Sequence, residues 1–267
     1  LHLSEITPKK GERALIIGGT RSGKSTLMDH FMRQIVRERP NVQILLLDSK
    51  PRFRAEIERF GPGNRMVRNA EYHYKDWESG PTIPGSYRVN IHSDRPLHKL
   101  WTKDDRCRIA LAQTELPTER RRLLQIADNW YNVRQRQADR ILAVDELLDY
   151  YYRNSLSIAA DTDTPLKVVR AGGERGFGGL YGAQRPKGLP PQITEELSVL
   201  YLFHLRYSAD IKYLWDMGVP SDIQPPGEDE GDYAFHIIRI RPGGKCEFDR
   251  TCRLTLSEAY LSELSDT

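Results

Sequence analysis

Gly18-Gly19-Thr20-Arg21-Ser22-Gly23-Lys24-Ser25-Thr26 fits the pattern GxxxxGK[ST] in full, between the apolar run Arg13 to Gly18 and a stretch of helical periodicity. Each residue type has a chemical reason to be there. Glycines let the backbone curl so that its N–H groups face a string of phosphates, and a helix N-terminus behind the loop adds the positive end of its dipole. Lys24 brings a charge to the β and γ phosphates of a nucleoside triphosphate, and the Ser25 hydroxyl suits a magnesium ion. Residues 18 to 26 are therefore the candidate site for ATP and Mg2+. The competing account is a glycine-rich turn that happens to precede a helix, and the ordered strand, loop and helix disfavour it.

Such a loop needs a carboxylate at the tip of a neighbouring strand, and Ile141-Leu142-Ala143-Val144-Asp145-Glu146 offers two in succession. Asp145 is expected to hold the metal. Glu146, one residue past the strand, stands where a base that polarises water belongs in enzymes that hydrolyse a triphosphate rather than transfer its phosphate. Alone, an apolar run ending in Asp-Glu usually leads only to a solvated turn; the upstream phosphate loop gives it meaning. Gln184, in Tyr181-Gly182-Ala183-Gln184-Arg185-Pro186, closes a third strand-like run. A polar amide there could sense the γ phosphate, since ligands collect at the carboxyl ends of strands. On its own residues, the plain start of a loop is the better account.

These residues need a scaffold, and the apolar pattern alternates strand-like runs with helix-period segments, as a parallel sheet covered by helices requires. Strands are expected at Arg13 to Gly18, Val42 to Asp48, near Tyr87 to Ile91, at Arg140 to Asp145, in a glycine-rich run ending at Gln184, and at Val199 to Leu205. Helices are expected at Lys24 to Glu38, Arg52 to Phe60, Thr118 to Gln137, Pro165 to about Gly172 and Ala209 to Met217. Tyr233 to Ile240 and Cys246 to Arg250 read as a hairpin joined through Arg241-Pro242-Gly243-Gly244, followed by a short helix near Leu256 to Leu264. The class is α/β, a mainly parallel sheet with a C-terminal hairpin, in one domain spanning residues 1 to 267.

Composition narrows the classes further. The 267 residues are 39% hydrophobic and 29% charged, far from the extremes of disorder or of a membrane protein, and no apolar stretch is long enough to span a bilayer. Three cysteines without a CxxC pair argue against a disulfide framework or a zinc ribbon, and seven scattered histidines against a zinc hydrolase. The net charge of 40 − 37 = +3 is uneven: residues 220 to 267 carry five basic and ten acidic side chains, hence −5, leaving +8 for the rest. The body permits a polyanionic partner, with a solvated surface as the equal alternative.

Taken in order, GGTRSGKST, ILLLDSK, ILAVDE, GERGFGGLYGAQRPKGLPPQI and FHLRYSADIKYL resemble the FtsK–HerA superfamily of P-loop DNA-pumping ATPases, over residues 13 to 218. The resemblance implies a RecA/ASCE-like P-loop NTPase fold. It puts an acidic and a basic residue after the second strand at Asp48 and Lys50, the Walker B pair at Asp145 and Glu146, and the sensor glutamine at Gln184. It also implies an arginine that reaches the nucleotide of the adjacent subunit. Arg175, in Gly173-Glu174-Arg175-Gly176, is the candidate, although Gly173-Glu174 interrupts the usual Gly-Arg pair and its spacing to Gln184 is short; Arg170 and Arg206 compete.

With a phosphate-loop strand that begins almost at once, the sequence looks like a motor domain alone. That build is similar to the genome-packaging ATPases of tailless, membrane-containing viruses and related phages. It implies a homo-oligomer, a hexameric ring, that drives double-stranded DNA into a preformed capsid, docks on a capsid vertex or portal protein, and resides in the cytoplasm or with the virion. Phosphate contacts from Arg120, Arg121, Arg122, Arg134, Arg136 and Arg140 are one option for holding DNA, against a solvated helix face as the more ordinary one. The rivals are a HerA-like end-processing or plasmid-transfer motor, a P-loop kinase or nucleotide switch, and a scaffold that merely binds ATP.

Overall fold

Val42-Gln43-Ile44-Leu45-Leu46-Leu47-Asp48 is apolar on both alternations, and only a strand covered on both faces can accommodate that. The computed structural model describes residues 3–49, 65–68, 89–90, 109–113, 120–133, 139–151, 164–227, 233–241 and 245–254. The expected helices at 52 to 60 and 256 to 264 lie outside the described residues, as do Cys107, Lys50, Arg134, Arg136 and the side chains of Arg121 and Arg122.

The strands are β1 (Arg13–Ile17), β2 (Val42–Asp48), β3 (Arg65–Arg68), β4 (Val89–Asn90), β5 (Ile109–Gln113), β6 (Asp139–Val144), β7 (Phe177–Ala183), β8 (Val199–Phe203), β9 (Ala234–Ile240) and β10 (Cys246–Arg253). The helices are α1 (Leu3–Ile6), α2 (Lys24–Glu38), α3 (Arg120–Asn132), α4 (Leu148–Tyr151), α5 (Thr164–Ala171), α6 (Pro191–Thr194) and α7 (Ser208–Asp216), with a 3-10 turn at Gly173–Arg175. One sheet runs in the order β10-β9-β8-β1-β7-β6-β2-β5-β3-β4. From β8 to β4 all pairings are parallel, while β9 is antiparallel to β8 and to β10. The hairpin is thus present, with a register shift between Phe248 and Arg250.

Alternate strand residues feed two cores, as the pleat dictates. Leu15, Ile17, Leu45 and Leu47 point to the side covered by α3, α5 and α7, through Leu123, Trp130, Val168 and Leu214. Ala14, Ile16, Ile44 and Leu46 point to the side covered by α2, through Leu27, Phe31 and Ile35. Among the described residues no helix is long and apolar enough to cross a membrane. Cys246 and Cys252 are buried thiols, and burial pushes both above their ordinary pKa.

One expectation is corrected here. Arg140 does not close a basic helix face available to DNA; it sits in β6 with 2% exposure. Its guanidinium donates to the carbonyls of Trp130, Val133 and Arg175 at 3.3, 2.9 and 3.0 Å, and lies 3.9 Å from the Phe177 ring centroid. Burial first, then the neighbouring charge of Arg175, lowers its pKa to about 10. Arg140 therefore fastens the end of α3 to the turn before β7.

Candidate nucleotide site

The strand order determines the site. Because β7 lies between β1 and β6, the tips of three parallel strands meet on one edge: the phosphate loop after β1, Gln184 after β7, and Asp145-Glu146 after β6. That edge is the carboxyl edge, where the fold leaves its crevice. Register pairs Ile17 with Ala183 and Val144 with Tyr181, so the tips arrive level.

In the loop, Gly18 N–H donates to the Ala183 carbonyl at 3.2 Å and Gly19 N–H to the His204 carbonyl at 3.1 Å, which ties the start of the curl to the ends of β7 and β8. Gly23 has φ 99°, a left-handed conformation that its lack of a side chain permits. A Cβ there would meet Tyr233 Cδ1 at 2.9 Å and Leu254 Cδ1 at 3.2 Å, so the β9–β10 hairpin buttresses the loop from behind. Arg21 is also left-handed, with φ 64°, a strained value for a residue with a side chain. Helix α2 starts at Lys24 with no side-chain cap and no acidic residue in its first turn, so its leading N–H groups remain available to an anion.

Lys24 is buried and its ammonium donates to the Gly19 carbonyl at 3.0 Å, inside the curl. Ser25 Oγ donates to Asp145 Oδ1 at 3.0 Å, so the two expected magnesium ligands are already adjacent. A hydroxyl and a carboxylate are oxygen donors of the kind Mg2+ takes. Ser22 Oγ is enclosed in the loop without a hydrogen-bond partner among the described residues. These features fit a bound triphosphate with its metal, held by residues 18 to 26 and Asp145. Glu146 is buried, and its Oε1 accepts from the Gln184 backbone N–H at 3.2 Å. Base and sensor candidates are thus in direct contact.

Two structural reasons keep this tip in place. Leu147 N–H donates to the Gly182 carbonyl at 2.7 Å, and a Cβ on Gly182 would lie 2.2 Å from the Asp145 carbonyl oxygen. Gly182→Ala is accordingly expected to force β6 and β7 apart at the site and to lose about 1–3 kcal/mol of stability. A lowered urea midpoint at constant m, together with reduced nucleotide affinity, is the check.

The sequence reading missed a supporting network one layer out. Ser49 Oγ hydrogen-bonds Asp149 Oδ2, and Arg120 reaches Asp149 through its carbonyl at 3.2 Å and its carboxylate at 3.5 Å. The tip of β2, the start of α4 and the start of α3 are joined there. Tyr150 is fully buried beside it, and burial first, then the charges of Asp48, Asp149 and Asp145, opposed by Arg120, raise its pKa. Arg120 is thus engaged inside the protein.

Arg175 lies elsewhere. It precedes β7, at the amino edge, exposed and 4.7 Å from the Tyr131 ring centroid. The seven strand rises to Gln184 separate it from the chain's own phosphate loop by about 23 Å. Arg170 is exposed at the end of α5, whereas Arg206 is exposed on the opposite edge, beyond β8.

No family model matches the sequence, and no curated protein matches it. Solved structures do. The genome packaging NTPase B204 from Sulfolobus turreted icosahedral virus 2, in complex with ATP-gammaS, aligns with TM-score 0.57 and 14% identity over 92% of this chain and 98% of that one. The DNA-packaging ATPase B204 from Sulfolobus turreted icosahedral virus aligns with TM-score 0.53 and 15% identity over 93% and 100%. The plasmid coupling protein TrwB, in complex with the non-hydrolysable GTP analogue GDPNP, aligns with TM-score 0.53 and 10% identity over 93% and 84%. At such identities the likeness is one of fold, and it falls on proteins of the kind that the motifs resemble. The chain is therefore built on the P-loop NTPase fold, in a form similar to that of a viral genome-packaging NTPase and a plasmid coupling protein.

Proposed function

We propose that the chain is an ATPase of the FtsK–HerA superfamily, a single motor domain that works as a hexameric ring and drives double-stranded DNA into a preformed viral capsid. One observation carries the ring: the hydrolytic groups and Arg175 lie on opposite edges of the sheet. Lys24, Ser25, Asp145, Glu146 and Gln184 gather at the carboxyl edge, and Arg175 is exposed at the other. An arginine so placed serves a neighbour's nucleotide. The packaging role draws on the motifs and on the likeness to B204. TrwB supports the rival plasmid-transfer reading, which shares the site and differs in partner.

In this mechanism Lys24 exchanges the Gly19 carbonyl for phosphate oxygens, and Ser25 and Asp145 hold the metal. Mg2+ held there would supply positive charge to the triphosphate. Glu146 orients a water and receives its proton. Its Oε1 accepts the Gln184 N–H, so a displacement of the β7 tip by the γ phosphate changes the setting of the base directly. Arg175 of the next subunit stabilises the charge that develops on transfer.

The test is steady-state ATP hydrolysis at fixed salt over a range of protein concentrations, with and without long duplex DNA. Turnover should rise with concentration as rings assemble, and again with DNA. Hydrolysis indifferent to both would refute the ring motor in favour of a kinase or switch.

A further inference from the structure

Arg185, the residue after Gln184, is held on two sides. Its Nε donates to both carboxylate oxygens of Asp210, at 3.2 and 2.9 Å, and Asp210 is 1% exposed at the start of α7. The face of its guanidinium lies 4.9 Å from the Tyr207 ring centroid. Its two terminal amino groups have no partner among the described residues, and the side chain is 46% exposed. Tyr207 is 60% exposed, more than any other large hydrophobic side chain described. A lone exposed ring means little. Here, though, Arg206, Lys212 and Lys187 are exposed on the same loops and helix, and none has a carboxylate partner among the described residues. Asp210 is consumed by Arg185, and Asp216 lies at the far end of α7.

We propose that Arg185, Arg206, Tyr207 and Lys212 form the surface that holds the phosphate backbone of duplex DNA, an assignment that rests on the DNA-motor reading above. Three cations, Arg185, Arg206 and Lys212, face solvent on the loops after β7 and β8 and on α7, and Arg185 is preorganised by Asp210, so little side-chain entropy is lost when its terminal amino groups meet a phosphate. Phosphate contacts are indifferent to sequence, as a motor running over any DNA requires. The placement also joins grip to chemistry. Arg185 is bonded in sequence to Gln184, whose N–H holds Glu146 Oε1, so strain on the DNA reaches the water base through one peptide.

The experiment is equilibrium binding of a labelled duplex of mixed sequence to the full chain, by fluorescence anisotropy, across salt from about 50 to 200 mM. Arg206→Ala with Lys212→Ala is expected to weaken binding about tenfold and to reduce the slope of log K against log salt by about 1.8, two contacts' worth. Arg241→Ala with Lys245→Ala removes the same charge from the exposed hairpin turn and is expected to change neither. Tyr207→Phe should bind like the parent and Tyr207→Ala should bind more weakly, which separates the ring's stacking from its hydroxyl. If the two double variants behave alike while the parent binds duplex, the surface is wrong and the DNA motor stands. If Tyr207→Ala raises the KM for ATP with duplex affinity unchanged, the ring serves the nucleotide and the assignment falls. A parent that binds no duplex overturns both.

Discussion

Glu146→Gln is expected to cut steady-state ATP turnover by about 10²–10⁴ while leaving nucleotide affinity within about threefold of the parent. The substitution is nearly isosteric. Its amide oxygen can still accept the Gln184 N–H that Glu146 Oε1 accepts at 3.2 Å, so the tip of β7 has no reason to move. Lys24, Ser25 and Asp145 keep their own contacts. What disappears is a carboxylate able to take a proton from water. Single-turnover hydrolysis alongside binding of a fluorescent nucleotide separates the two effects. Turnover near the parent value would remove Glu146 as the base and leave the water to another group.

Arg175→Ala carries the second large effect: a loss of about 10³–10⁵ in turnover of the assembled protein, with ATP binding preserved. The alanine keeps the carbonyl to which Arg140 donates at 3.0 Å, so the anchor between α3 and β7 persists. Loss of the contact between exposed Arg175 and the buried Tyr131 ring costs about 0.5–1 kcal/mol. A mixing experiment makes the claim strict. Glu146→Gln chains lack the base but retain the arginine, and Arg175→Ala chains lack the arginine but retain the base. If Arg175 acts across an interface, mixed assemblies contain sites with both groups and recover part of the turnover. If it acts within its own chain, mixing restores nothing. Arg175→Lys is expected to rescue poorly, because an ammonium lacks the planar fork that matches phosphate oxygens.

The candidate site was legible as a motif because it is local. Residues 18 to 26 make their loop from consecutive backbone, and α2 begins at Lys24 as its glycine-preceded, apolar-striped sequence requires. Strands β2, β6 and β8 were legible as predominantly apolar runs bounded by polar residues. Strand β5 was not. Ile109-Ala110-Leu111-Ala112 suits a helix as well as a strand, and only pairing with β2 and β3 decides it. Arg65–Arg68 has one central pair of apolar residues and is a strand because β5 is beside it. Arg140 was misread because its partners are carbonyls of Trp130, Val133 and Arg175, which no charge pattern reveals. The available signal was its place next to the start of an otherwise apolar strand. The contact between Glu146 and Gln184 depends on β7 standing between β1 and β6, a matter of strand order that crossovers set.

Tyr233 and Leu254 press on the left-handed Gly23 from the hairpin, in the part of the chain beyond the reach of the motif resemblance. Coupling between two bound partners is reciprocal in free energy. Any protein that grips β9–β10 more firmly in one setting of the loop than in another therefore alters nucleotide affinity by a definite factor. Loading of the loop alters the hold of that protein by the same factor. A partner on the hairpin, if it distinguished two settings of the loop, would be coupled to the nucleotide without touching it.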